Sequence, residues 1–404
     1  MKGFMLELEE ARERILATIP RLPPESVPLI AALGRFLAES LVSPIDLPCF
    51  DNSAMDGYAV QADDLKNAST AAPVSLKVSG QSPAGEILRD RAGPGTCVRV
   101  FTGSVLPPGA DAVVMQEDTR SLQGRTLEVL FSENVKPWEN VRLRGEDIKR
   151  GAPLFSAGEV MNVGGMGLLA ALGMKELLVS QQPVIGLVST GSELLEAGQP
   201  LAPGKIYESN RVTLAPLLKQ AGVMPTIFPL VPDALDATEA MLEKAFNECD
   251  GVVTTGGVSV GEHDFIKSAF ERIGGKLEFW KVAIRPGKPF VFGQWRGKFL
   301  FGLPGNPVSA LVTFLLLVRP ALLRWQGAAG VDLPVTLGKL GEPLMNRGDR
   351  RHFMRVTVDA AGTVRSAGVQ GSHIQSSLAK ANGLVDVPPQ RTLEAGAAVT
   401  VLRW

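Results

Sequence analysis

Apolar positions recur at broadly helical spacing over 6–19, through Leu6, Leu8, Ala11, Ile15 and Leu16, and a second such pattern occupies 27–41. Both stretches are expected to form amphipathic helices. From 43 to about 140 the pattern changes to short β-type runs, VSLKV, CVRVF and DAVVMQ, separated by turn clusters rich in Gly and Pro. An antiparallel, β-rich insert is the expectation. Helical spacing returns over 163–172, so the chain is expected to leave and re-enter one scaffold on either side of the insert. After 182 strand and helix alternate, as VIGLVST, TLAPLLKQ, MPTIFPLV, a helical stretch over 237–246 and GVVTT. This alternation predicts a parallel sheet covered by helices. Ligands of such sheets bind beyond the carboxyl ends of the strands, which directs attention to the loops after Thr190 and Thr255. Beyond 335, HFMRVTVD and TVRSAG, joined by a turn at 360–362, and the closing AAVTVLRW predict a small β domain.

The fold class is therefore multi-domain α/β plus β. The expected division is an elongated helical and extended scaffold of 1–44 with 145–178, a β-rich insert at 45–144, a parallel-sheet α/β sandwich at 179–327 and a barrel-like β domain at 328–404. A length of 404 residues agrees with several domains. With 45% hydrophobic and 21% charged residues the chain has ample material for packed cores. The formal net charge of -1 provides no global basic field, so nucleic acid and anionic membranes are not expected partners and any anion site must be local. Cys49, Cys97 and Cys249 have no paired spacing for zinc or a redox dithiol, as suits a reducing compartment. The N-terminal MKGFMLELEEARERIL carries acids and arginines where a signal peptide needs an unbroken apolar core. The strongest apolar run, 310–318, ends at Arg319 and Pro320 and reads as a buried helix rather than a membrane span. A cytoplasmic location is expected.

The run GVVTTGGVSVGEHDF puts an apolar strand before Gly256, Gly257 and Gly261, with a helix able to begin near Glu262. Such a turn presents backbone N–H groups to an anion, and Thr254, Thr255 and Ser259 add hydroxyls; a tight strand-to-helix turn is the plainer alternative. The spacing matches neither a Walker A loop nor a dinucleotide fingerprint. Glu193 and Asp264 follow strands and should converge at one sheet edge, with Asp233 joining them. Clustered acids repel phosphate unless a divalent cation intervenes, which points to magnesium, although each acid alone could be a helix cap or solvated. In WKVAIRPGKPF, Lys281, Arg285 and Lys288 could clamp an oxyanion or protect a strand edge. Pro304, Gly305 and Asn306 form a rigid loop before a helix starting near Val308, where Ser309 and free N–H groups again favour an anion. FDNSAMDGYAV gathers Asp51, Asn52, Ser53 and Asp56 in one loop, readable as an Asx turn network or as a site. FTGSVLPPGADAVV adds Thr102 and Ser104, and RLRGEDI adds Arg142, Arg144, Glu146 and Asp147. His263, His352 and His373 share no ligand spacing, so they are expected to be ordinary buried or surface histidines.

Together with VSTGSEL, ESNRVTL, TTGGVSVGEHD, KVAIRPGKPF and GLPGNPVSA, these strings, in this order over nearly the whole chain, resemble the molybdopterin molybdenumtransferase family, the molybdenum insertases of molybdenum-cofactor synthesis. The resemblance implies an elongated four-domain homodimer whose third domain is of the molybdopterin-binding type and is similar to molybdopterin adenylyltransferase, the implied upstream partner. It implies adenylylated molybdopterin and molybdate as substrates, and magnesium-dependent cleavage releasing AMP. By motif position it assigns Asp56, Thr102 and Asp147 to the insert's face of the cleft and Glu193, Asp233 and Asp264 to metal and substrate. Lys281, Arg285 and Lys288 are assigned to molybdate or pterin phosphate. Two departures stand out: Arg285 replaces a common lysine, and Ala234 follows Asp233 where an acid or amide is common. The alternatives are an adenylyltransferase or phosphoanhydride hydrolase of a pterin nucleotide, or a non-catalytic scaffold of the same architecture.

Overall fold

A computed structural model describes residues 5–86, 91–122, 127–258 and 265–404. The chain divides into two compact units, the first built from 1–39, 157–166 and 175–404, the second from 40–156 and 167–174. The fold is multi-domain α/β plus β, as its sequence pattern predicts.

In the first unit a six-stranded sheet runs in the order Met224–Ile227, Val184–Ser189, Gly251–Thr255, Lys298–Leu303, Pro289–Trp295, Lys276–Lys281. The first four strands are parallel and the last two antiparallel. Gly251–Thr255, at the centre, is buried at every position, as a strand covered on both faces must be; this is why it reads as a continuous apolar run. Helices Asn210–Gln220, Leu235–Glu248 and Ile266–Arg272 cover the sheet with the helical stretch Pro307–Trp325. That last stretch is longer than its apolar run predicts, continuing through Arg319 and Pro320 to Trp325 and buried nearly throughout. A π-turn at Phe314–Val318 shifts the hydrogen-bond ladder just before Pro320, which has no N–H to offer. One core is strongly aromatic: Phe292 lies 5.5 Å from Phe301, and Phe299 meets Trp325 edge-on at 5.2 Å.

The N-terminal helix forms over Leu8–Thr18 with Leu8, Ala11 and Ile15 buried, but the second expected helix, 27–41, does not exist. Pro24–Pro28 is instead a strand paired antiparallel with Glu176–Ser180, followed by a 3-10 turn at Leu29–Ala31. Helical spacing there is overridden by a partner strand distant in sequence and by Pro28, which cannot donate within a helix. The C-terminal sheet has the order Ile284–Arg285, Arg351–Val358, Thr363–Ser366, Val335–Leu340, Ala398–Leu402, Gly383–Val387, with Arg351–Val358 also pairing Gly383–Val387. Its first strand belongs to the segment between Lys281 and Pro289, so WKVAIRPGKPF passes from one sheet to the other.

The second unit carries a six-stranded sheet ordered Ala112–Met115, Gly57–Val60, Thr96–Val100, Val74–Ser82, Glu128–Phe131, Thr119–Leu122. It is antiparallel except where Val74–Ser82 runs parallel to Thr96–Val100, a departure from the purely antiparallel expectation. At Gly57 a Cβ would lie 2.0 Å from the Val114 carbonyl oxygen, so the loop carrying Asp56 enters its strand only through glycine.

Candidate functional site

The carboxyl ends of the parallel strands in the first unit surround a cavity of about 750 Å³, within the range of small-molecule sites. Its floor is the turn after Gly251–Thr255. Gly256 and Gly257 have φ of +86° and +63°, and a Cβ on Gly256 would meet the Thr190 carbonyl oxygen at 2.3 Å. Both the backbone sign and the close approach exclude other residues. Directly beside this turn, a Cβ on Gly305 falling 3.6 Å from Gly256 Cα, stand Pro304, Gly305 and Asn306, which lead into the helix starting at Pro307. The start of a second helix, Ser209 and Asn210, lines the same space. The Val308 N–H is taken by the Ser372 carbonyl at 3.1 Å and the Arg211 N–H by Glu208 Oε1 at 2.8 Å, so the positive ends of the two helix dipoles, rather than a free first turn, suit the wall to an anion. Thr190 Oγ1 and Asn210 Oδ1 are buried without a hydrogen-bond partner among the described residues, leaving polar capacity on the lining.

The expected carboxylates Glu193 and Asp233 both line the cavity, as does Thr255. Asp233 is held in place: the Ser192 N–H donates to its Oδ2 at 2.9 Å, and its own N–H donates to Ser192 Oγ at 2.8 Å. Asp264, Ser259 and Gly261, with His263, lie outside the described residues. Among the described residues no three His, Cys, Asp or Glu side chains form a metal-binding group. Glu193 and Asp233 nevertheless offer only oxygen donors beside a threonine hydroxyl, a donor set that fits a hard divalent cation such as magnesium.

The three cations are not gathered there. Lys281 ends its strand opposite Pro289, while the Lys288 carbonyl accepts the Val282 N–H at 3.0 Å; neither side chain lines the cavity. Arg285 pairs in register with His352 and lines a second cavity of about 480 Å³ with Arg347, Ser366 and Gln370. Burial, reinforced by Arg285, Arg355 and Arg350, pushes the His352 imidazole down to about 4.

In the second unit Asp56 Oδ1 accepts the Thr102 N–H at 2.8 Å and the Thr102 hydroxyl at 2.9 Å. The Thr102 N–H first, then its hydroxyl, holds the Asp56 carboxyl below the ordinary range, although the group is exposed. FDNSAMDGYAV and FTGSVLPPG therefore meet. Asp147 is exposed, and its N–H donates to the Leu47 carbonyl at 3.1 Å. Ahead of that loop, Asp46 accepts the Arg150 N–H at 2.8 Å and Arg144 Nε at 2.6 Å, contacts to residues distant in sequence.

Several lining residues escaped the sequence reading individually. Glu208, Ser209 and Asn210 stand within ESNRVTL, and an acid, Ser and Asn directly before a helix is an N-terminal signature that could have flagged them. Tyr207, His373 and Gln375 have no such signal; the last two come from the C-terminal region, with Gln375 Nε2 donating to Ser209 Oγ at 3.0 Å. His373, expected to be an ordinary histidine, lines the cavity.

Comparison with known proteins places this geometry in context. Three family models match in succession: the MoeA N-terminal region (domain I and II) over 6–173, the probable molybdopterin binding domain over 186–324, and the MoeA C-terminal region (domain IV) over 338–404. The chain is 40% identical over 408 residues to the molybdopterin molybdenumtransferase of Haemophilus influenzae, covering 98% of each. It is 38% identical over 402 residues to molybdopterin molybdenumtransferase 2 of Mycobacterium tuberculosis, again covering 98% of each. Its structure is similar to the crystal structure of a molybdopterin biosynthesis MoeA protein from Pyrococcus horikoshii, with a TM-score of 0.84, 35% identity and 99% of both chains covered.

Proposed function

The chain belongs to the molybdopterin molybdenumtransferase family, and from that premise we propose that it inserts molybdenum from molybdate into adenylylated molybdopterin, releasing AMP and forming molybdenum cofactor. The observation that carries this reading is the cavity of about 750 Å³ in which two helix N-termini and the Gly256–Gly257 turn meet two carboxylates. Anion-binding groups and acids share one wall there, as a phosphoanhydride with a bound cation would require.

Each element then has a chemical task. The N–H groups of Gly257, Gly305 and Asn306 would hold the phosphoanhydride, the Gly256 N–H being bound to the Leu303 carbonyl, and the Thr255 hydroxyl would orient it. Glu193 and Asp233 would hold magnesium and its ligand, with Asp264, Ser259 and Gly261 as the family resemblance implies. When bound, magnesium would neutralise the charge on the phosphoanhydride oxygens and stabilise the departing AMP phosphate. Arg285, on the wall of the second cavity, would grip an oxyanion such as molybdate in bidentate fashion without ever losing its proton. Asp56, Thr102 and Asp147 serve the insertion step, with Asp56 kept anionic by Thr102. No side-chain nucleophile is required: an oxygen of water or molybdate would attack one anhydride phosphorus as the bridging P–O bond breaks, leaving AMP and molybdopterin phosphate as products. The active form is a homodimer, supplied by a molybdopterin adenylyltransferase and acting in the cytoplasm.

The test is incubation of the protein with adenylylated molybdopterin, magnesium and molybdate, followed by measurement of AMP and of reconstituted cofactor. Both should appear, and both should depend on magnesium. AMP released at the same rate without molybdate and without cofactor formation would instead mark a phosphoanhydride hydrolase.

A further inference from the structure

A buried arginine outside the set considered above ties the cavity together. Arg211 sits in the first turn of Asn210–Gln220 and is 6% exposed. Its backbone N–H donates to Glu208 Oε1 at 2.8 Å, its Nε to Glu208 Oε2 at 3.1 Å, and its Nη1 to the Phe228 carbonyl at 2.8 Å. Its Nη2 reaches both oxygens of Glu196 at 2.7 Å. Glu208 continues the chain inward: it accepts from Ser189 Oγ at 3.3 Å, and that hydroxyl lies 2.8 Å from Thr255 Oγ1. One connected path thus runs from Glu196 through Arg211, Glu208 and Ser189 to Thr255, immediately before the glycine turn.

Glu196 directly follows the short strand Leu194–Leu195, which pairs with Ile206–Tyr207. Leu194, Ile206 and Tyr207 form one wall of the cavity. We infer that Arg211 is a positioning residue for the nucleotide cleft: by gripping Glu196 and Glu208 together, it holds the wall 191–207 at a set distance from the Gly256–Gly257 turn. A buried pair of this kind is a weak source of net stability because desolvation offsets attraction, so its consequence here is geometric. The planar guanidinium makes three differently directed contacts at once, a pattern a lysine ammonium cannot reproduce.

This inference rests on the proposed function for its substrate, so two readouts are paired. The variant Glu196→Ala removes the half-exposed partner and leaves the buried Glu208–Arg211 pair, so folding is preserved. Hydrogen exchange of backbone amides should speed up across 191–207 and stay unchanged in Gly251–Thr255, whatever the reaction. KM for adenylylated molybdopterin should rise roughly tenfold with kcat nearly constant, the expected loss for one charge-assisted contact. Glu196→Gln should recover part of the effect, and Arg211→Lys should show the same KM rise with a melting temperature that reports on folding. Unchanged exchange over 191–207 in Glu196→Ala would overturn the inference, as would a fall in kcat at unchanged KM. Absence of AMP release from the unsubstituted protein would count against the proposed function alone, since the exchange result stands without it.

Discussion

Asp233 and Ser192 exchange hydrogen bonds in both directions, the Ser192 N–H to Asp233 Oδ2 at 2.9 Å and the Asp233 N–H to Ser192 Oγ at 2.8 Å. The reciprocal clasp joins the loop after Val184–Ser189 to the loop after Met224–Ile227. One carboxylate oxygen is committed to the fold, which leaves the other for the cavity. Asp233→Asn keeps an acceptor for the Ser192 N–H and removes the charge. It should melt like the unsubstituted protein while needing roughly tenfold more magnesium for half-maximal AMP release. Asp233→Ala should also destabilise the clasp by about 1 kcal/mol in urea unfolding. A magnesium titration unchanged in Asp233→Asn would remove this residue from the metal set.

Gly256→Ala tests the cavity floor. The methyl would press against the Thr190 carbonyl oxygen at 2.3 Å on a backbone of φ +86°. The expected cost is on the order of 2–4 kcal/mol in chemical denaturation, with loss of nucleotide binding by calorimetry. Wild-type binding in this variant would mean that the turn is not the anion cradle.

At Asp56 the prediction concerns pH. Its folded carboxyl lies below the ordinary value because Thr102 donates to it, so the ionised form is favoured above the ordinary range and that preference fades as pH falls through the depressed value. Thr102→Val removes one donor and should move the Asp56 carboxyl upward in an NMR titration, with the acid limb of activity following it. Asp56→Ala should abolish insertion at physiological molybdate with only a small fall in melting temperature, from the loss of the acceptor for Thr102.

His352 gives a stability prediction of the same sign from a different group. Its folded value of about 4 lies below the usual 6.5 because burial disfavours the cation, with Arg285, Arg355 and Arg350 adding repulsion. Between those values the unfolded chain binds the proton more readily than the native one. Stability should therefore fall by up to a few kcal/mol as pH drops from 6.5 towards 4. His352→Gln should flatten that part of the melting curve against pH; an identical slope would show that His352 does not titrate as its burial requires.

VIGLVST and GVVTT were readable because strands covered on both faces must be apolar throughout, and Gly256 and Gly257 because a left-handed turn admits little else. The segment 27–41 misled because its spacing is helical while its hydrogen bonds go to Glu176–Ser180, a partner that local pattern cannot reveal. Glu193 and Asp233 were legible from their places after strands. Arg285 was legible as a cation but not as the wall of a different cavity, since its segment crosses between sheets. The Glu196–Arg211 contact and the arrival of His373 depend on tertiary packing and have no sequence signal, whereas Glu208 stands where a helix start can be read.

The most direct measurement is a crystal structure with adenylylated molybdopterin and magnesium bound. The account predicts the phosphoanhydride against the Gly256–Gly257 turn and the Pro304–Asn306 loop, with Glu193 and Asp233 facing the bound nucleotide and its cation. A nucleotide bound elsewhere, with both carboxylates turned to bulk water, would contradict it.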